Sequence, residues 1–193
     1  MLKRALLIVD VQNDFCAGGA LEVADAEHIF PLINQAIEQF SEAGEPIYAS
    51  RDWHPPISAH FEDFGGRWRV HCVAGTPGAA LHPGIRWPAG LMVVSKAQNA
   101  ADDGYSAFEG TLPNGVSLAE ELHSKGIDEI YIAGLTTDYC VRTTGLDGLR
   151  EGFKVYVLAD AVAGLDPHNA QRALAELERA GAAMLKTAHL AAA

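Results

Sequence analysis

A chain of 193 residues, 49% hydrophobic and 20% charged, has the make-up of one globular domain with a full core, here taken as residues 1–193. Its formal net charge of −11 excludes a nucleic-acid backbone partner, which needs a basic face, and disfavours an anionic membrane surface. Three widely spaced cysteines, Cys16, Cys72 and Cys140, are odd in number and exclude a disulfide framework.

The opening MLKRALLIVD has an apolar run that stops at Asp10. It lacks the ~7–15 apolar residues and cleavage site of a signal peptide, and no stretch nears the ~18 of a membrane span. A cytoplasmic location is the expectation. Ala5–Val9 reads as a strand buried on both faces, because it is short and uniformly apolar. Ile29, Leu32, Ile33, Ala36, Ile37 and Phe40 then recur at helical spacing and stop near Gly44. Ile47–Ser50 and Leu91–Ser95 read as the next strands. Ser117 and Glu120 form a capping-box signature for a helix over Leu118–Lys125. Glu129–Ala133 is a fourth strand, followed by a helix from about Cys140 to Arg150. Val155–Ala159 is a fifth strand. Asp166 and Pro167 open a last helix that Gly181 closes, and Ala183–Lys186 supplies a sixth strand. This alternation predicts a doubly wound α/β fold, with a mostly parallel sheet of about six strands and helices on both faces.

One segment departs from the rhythm. Residues 51–90 hold Pro55, Pro56, Pro77, Pro83, Pro88 and all three tryptophans, with little periodicity. A loop that long is functional or disordered, and its aromatic content argues for an ordered active-site loop.

Ligands of open α/β sheets bind beyond the carboxyl ends of the strands. Asp10, Asp52, Lys96 and Cys140 all fall at such ends. Cys140 sits where a strand turns into a helix, and there a helix N-terminus favours the thiolate and offers N–H groups to an oxyanion. Its proton needs an acceptor. No histidine stands at a strand end, whereas Asp10 beside the charge of Lys96 could shuttle that proton. Asp52, His54, His60 and His71 form a second group, suited to zinc, iron(II) or manganese. Taken singly, each group also has a plain structural reading as a buried cysteine, a buried salt bridge or a polar loop. His28, His82, His123, His168 and His189 fit neither group.

These residues lie within motifs that make the chain resemble, nearly end to end, the nicotinamidase/pyrazinamidase branch of the isochorismatase-like cysteine hydrolases. The matching pieces are Val9-Asp10-Val11-Gln12-Asn13-Asp14-Phe15, Asp52-Trp53-His54, His71-Cys72-Val73-Ala74-Gly75-Thr76-Pro77-Gly78, Lys96, Asp103-Gly104-Tyr105-Ser106-Ala107-Phe108 and Thr137-Asp138-Tyr139-Cys140-Val141. The resemblance implies Cys140 as nucleophile, Asp10 as acid/base and Lys96 as the third member of a triad. It implies a divalent metal, zinc ahead of iron or manganese, on Asp52, His54 and His71, with His60 a fourth ligand in some members. An oxyanion hole at Thr136 and Cys140, a cis peptide between Leu135 and Thr136, and aromatic walls from Phe15, Trp68 and Tyr105 follow as well. The implied activity is hydrolysis of nicotinamide in NAD salvage, with a small aromatic amide as partner and a homo-oligomer compatible with it. Two departures stand out: Thr136 replaces a frequent alanine, and Ala97 follows Lys96 where glycine is frequent. Other amidohydrolases of the superfamily, on carbamoyl, maleamate or ureido substrates, are the alternative, as is a non-catalytic metal-binding relative.

Overall fold

The computed structural model describes residues 3–192. Its single sheet has six strands, all parallel, in the order β3-β2-β1-β4-β5-β6. The strands are β1 Arg4–Val9, β2 Ile47–Asp52, β3 Met92–Lys96, β4 Glu129–Leu135, β5 Lys154–Ala163 and β6 Ala183–Leu185. The helices are α1 Phe30–Glu42, α2 Leu118–Ser124, α3 Arg142–Arg150 and α4 Pro167–Ala180. Ser117 caps α2 with its reciprocal Glu120 contact, and the Asp166 carboxylate accepts the Asn169 N–H at the start of α4. No helix among the described residues is long and apolar enough to cross a membrane.

Alternation along β1 explains the layers. Leu6 and Ile8 face the side where Ile33, Ala36 and Phe40 of α1 pack, whereas Ala5, Leu7 and Val9 face Leu118 and Leu122 of α2 and Leu177 of α4. Each such fully buried aliphatic side chain contributes roughly 1.5–3 kcal/mol. β1 lies between β2 and β4, and the chain leaves it first in one direction and later returns in the other. The crevice at this reversal opens beyond the ends of β1 and β4, directly at Asp10 and Cys140. Close approach of these two strands requires a glycine: at Gly134 (φ +113°) a Cβ would stand 2.1 Å from the Val9 carbonyl oxygen.

Four strands run past their expected ends, β3 through Lys96 and β4 through Gly134 and Leu135 among them. β2 continues through Arg51 and Asp52, because those polar residues find partners within the fold; Asp52 is the register partner of Lys96 on β3. β5 continues beyond Ala159 because the Asp160 carboxylate accepts the backbone N–H and the hydroxyl of Thr187. The long segment after β2 is ordered by few but specific ties. His54 bridges to Val73, Phe61 to Trp68, and Gln12 to Leu81, while the Asp14 carboxylate accepts the Cys72 N–H at 2.7 Å.

Candidate active site

Ser50 and Lys96, from β2 and β3, reach toward Asp10 at the end of β1. The Ser50 hydroxyl donates to Asp10 Oδ1 at 2.7 Å. The Lys96 ammonium donates to Asp52 Oδ1, to the Gly104 carbonyl at 2.6 Å and to Cys140 Sγ at 3.6 Å. An ammonium has three protons, and these three partners use them. Asp10 Oδ2 stands 2.9 Å from the same nitrogen yet accepts no hydrogen bond. It therefore feels the lysine charge while keeping free lone pairs, the state in which a carboxylate can take a proton. Donor atoms of Asp10, Asp52 and Cys140 all lie within 4.8 Å of one another.

Burial and charge set the protonation states. Burial pushes Asp10 up to about 6, against the pull of Lys96. Burial also raises Asp52, but Lys96, His54 and His71 together outweigh it and hold that carboxyl below its ordinary range. Lys96 stays charged despite its burial, since Asp10 and Asp52 raise it well above the usual value. Burial holds the Cys140 thiol well above its ordinary range; Lys96 opposes this, and Asp10 and Asp52 reinforce it. Desolvation and the two carboxylates thus work against the thiolate that Lys96 favours.

The local backbone differs from expectation. Cys140 belongs to a single π turn, Thr137–Val141, and α3 begins only at Arg142. The Val141 N–H reaches back five residues to the Thr136 carbonyl, which also accepts the Tyr139 N–H. Such π turns recur at functional sites, where they re-aim one side chain. The Leu135–Thr136 peptide is cis, as the resemblance implies.

Beside this group, donor atoms of His54, His60 and His71 also lie within 4.8 Å of one another, and all three side chains are buried. The bridge between His54 and Val73 sets His54 next to His71, and the His60 ring stacks on His54 at 4.6 Å. Burial pushes His54 down to about 3 and His60 down to about 4, so both are neutral. His71 Nδ1 lies 2.7 Å from the Arg69 carbonyl, which can only accept, so Nδ1 donates to it; Nε2 is 3.9 Å from Asp52 Oδ2. Both nitrogens of His54 are buried without a hydrogen-bond partner. Leaving a buried polar group unpaired costs about 1–3 kcal/mol. Neutral, converging imidazoles with free lone pairs and a carboxylate oxygen are what a divalent cation requires. The residues present therefore fit a metal.

A small pocket lies against both groups. Phe15, Trp68 and Tyr105 line it, as do Thr136, Cys140, Asp52, His60 and His71. The Trp68 indole N–H donates to the Tyr105 hydroxyl at 2.9 Å, and Tyr139 packs edge-on against Trp68 at 4.8 Å. Of the site residues expected from sequence, Asp10, Lys96 and His54 are buried behind this lining and the rest belong to it, with Asp52 in contact with Lys96 and 3.9 Å from His71. Sequence reasoning missed Tyr139, Asp103, Leu21 and Leu165 in the lining, and the buried Gln12 beneath it. Gln12 donates to the Asp52 and Ala79 carbonyls, both at 2.9 Å, and accepts the Asp52 N–H at 2.8 Å, a two-way clamp on that residue. Tyr139, Asp103 and Gln12 stand inside recognisable motifs, which was the available signal; Leu21 and Leu165 carry none. Cys16 and Cys72 are free thiols that burial pushes up, Cys16 to about 12.

Comparison with known proteins agrees with this geometry. An isochorismatase domain matches residues 4–189. The nicotinamidase of Escherichia coli (strain K12) is 38% identical over 205 residues, which covers 95% of this chain and 95% of that one. The crystal structure of the pyrazinamidase of Pyrococcus horikoshii in complex with zinc is similar with a TM-score of 0.89 and 41% identity, over 95% of this chain and 99% of that one. The L. infantum PnC1 structure in complex with nicotinate gives a TM-score of 0.85 and 37% identity, over 96% and 93% of the two chains.

Proposed function

The chain belongs to the isochorismatase family, and from that premise we propose a cysteine amidohydrolase in which Cys140, Asp10 and Lys96 act as nucleophile, proton shuttle and charge anchor. Its reaction is hydrolysis of nicotinamide to nicotinate and ammonia, with pyrazinamide as a ring analogue. The observation that carries this reading is the buried Cys140 thiol, 3.6 Å from Lys96 and beside an Asp10 oxygen with no hydrogen bond.

Asp10 Oδ2 takes the thiol proton as Sγ attacks the carboxamide carbon, and the Lys96 ammonium steadies the sulfur charge. The amide N–H groups of Thr136 and Cys140 hold the oxygen of the tetrahedral adduct. The C–N bond breaks as Asp10 returns its proton to nitrogen, and ammonia leaves a thioester. A water then adds to the thioester carbon, giving one proton to Asp10. The C–S bond breaks, the acid formed releases its remaining proton to water or ammonia and becomes nicotinate, and the proton on Asp10 restores the thiol. Asp52 holds Lys96 in place throughout, itself fixed by Gln12. Phe15, Trp68 and Tyr105 grip the flat ring, a sensible task for aromatic walls.

Asp52, His54 and His71 would hold a divalent metal, zinc first, with His60 as a fourth ligand. When bound, it supplies a Lewis-acid centre within reach of a heteroaromatic substrate. This histidine group favours nicotinamide over carbamoyl, maleamate or ureido amides. We also place the whole activity in one domain. The deciding measurement is ammonia release from nicotinamide by the zinc-, iron- or manganese-loaded chain, with nicotinate as the second product; an inert chain in all three forms refutes the reading.

A further inference from the structure

The proposed reaction turns a neutral amide into an anion inside a small pocket, so the charges of the lining bear differently on substrate and product. Two carboxylates stand in that lining, Asp52 and Asp103, and no lysine or arginine does. The Asp52 charge is spent on Lys96. Asp103 is exposed, and its side chain makes no hydrogen bond or ion pair with any described residue. It adjoins Gly104 and Tyr105, which belong to the same lining. One cation stands just outside: the Arg67 guanidinium lies over the rings of Trp68 and Tyr139, at 5.0 and 5.3 Å, on a side chain that is not part of the lining.

From this asymmetry we infer that Asp103 is a specificity-determining residue that repels the carboxylate product while leaving the neutral amide unaffected. Resting on the amidohydrolase reading, the inference assigns to one rim carboxylate the discrimination between substrate and product, and hence relief from product inhibition. A like charge several ångströms away in a partly hydrated rim weakens anion binding by about three- to tenfold, and salt screens it.

The test is calorimetric binding of nicotinate and of nicotinamide to the metal-loaded Cys140→Ala chain, alone and combined with Asp103→Asn or Asp103→Glu. Asp103→Asn should tighten nicotinate about three- to tenfold and move nicotinamide by less than twofold. Asp103→Glu should restore the parent ratio, and 0.5 M salt should shrink the difference, a reading of roughly half or less. A purely structural role would shift both ligands together, and that result, or an unmoved ratio, overturns the inference. A parent chain that releases no ammonia from nicotinamide overturns the amidohydrolase reading itself; an active parent with an unmoved ratio overturns only the role of Asp103.

Discussion

The two halves of the crevice are built on opposite principles. On one side Asp10, Lys96 and Cys140 hang from the ends of a parallel sheet, and their polar atoms are nearly all engaged by one another, by Ser50 and by Gly104. On the other side His54, His60 and His71 come from a long irregular loop, and both nitrogens of His54 are buried with no partner at all. The first half finds nearly all its partners within the protein, Asp10 Oδ2 excepted, whereas the second leaves buried imidazole nitrogens that no described protein group satisfies. A sheet edge fixes distances through backbone hydrogen bonds; a loop fixes them through what it wraps around.

If the sheet side alone holds the bond-breaking chemistry, Cys140→Ala gives the largest effect of any single change. It should lower kcat by about 10⁴-fold or more, on the scale of losing a nucleophile. The fold should survive, since only one sulfur atom leaves a buried site, and the Tm should stay within about 4 °C. Ammonia release and a thermal melt on the same preparation check the pair. Turnover within about tenfold of the parent would show that the sulfur is not the attacking atom.

The histidine side should fail differently. Removing the metal, or substituting His54→Ala, is expected to lower activity by about 10²-fold or more, the upper range for disturbed metal sites. Unlike the nucleophile change, metal removal should also lower stability, because a ligand that binds only the folded state at 100 times its Kd contributes about 2.7 kcal/mol. Activity and melting temperature measured before and after chelation, and again after zinc is restored, test both parts. Full activity in a preparation that elemental analysis shows to be metal-free would erase the distinction between the halves.

Substrate analogues sharpen the same division, because the proposed reading sets the carboxamide against the sheet side and the ring nitrogen against the histidine side. Benzamide keeps the shape and loses the nitrogen. Sites built around a polar contact reject analogues that lack it far more strongly than the ~10–200-fold of shape alone, so nicotinamide and pyrazinamide should exceed benzamide by at least ~10² in kcat/KM. Equal turnover of benzamide would mean that the histidine side does not read the ring.

How much of this could be read before folding follows from the same contrast. Asp10 and Lys96 were conspicuous because a buried parallel strand is a continuous apolar run and each stands at the end of one, whereas Cys140 lies in the turn beyond β4. His54 and His71 were legible as residue types, although nothing in the spacing showed that Val73 would bridge to His54 and bring them together. Asp52 read as a metal ligand, and its contact with Lys96 emerges only from the pairing of β2 with β3. The π turn stayed hidden because it depends on the Thr136 carbonyl, not on any helix signal. Gln12 and Ser50 act through partners 40 residues away along the chain, a distance over which periodicity says nothing.

The smallest effect concerns the backbone of the sheet side, where one turn is strained. Ala97, directly after Lys96, is buried and holds φ +57°, a left-handed conformation that a Cβ disfavours. Glycine is frequent there in the family that the motifs resemble, and the geometry supplies the reason. An L-residue in this region costs roughly 1–2 kcal/mol, which Ala97→Gly would relieve. Against that stand the lost burial of one methyl, about 0.8 kcal/mol, and the greater freedom of glycine in the unfolded chain, about 0.4–1 kcal/mol. The opposing contributions nearly cancel, so Ala97→Gly should change stability by less than about 0.5 kcal/mol, or roughly 2 °C in Tm. Ala49→Gly is the control: Ala49 is fully buried in β2, where the backbone is extended and no strain is available to relieve. That substitution should cost about 1–2 kcal/mol, or roughly 3–6 °C. Denaturant melts of the two variants and the parent give the comparison directly. Equal losses at both positions would mean that the turn after Lys96 carries no strain, and that the alanine there departs from the family pattern without a backbone consequence.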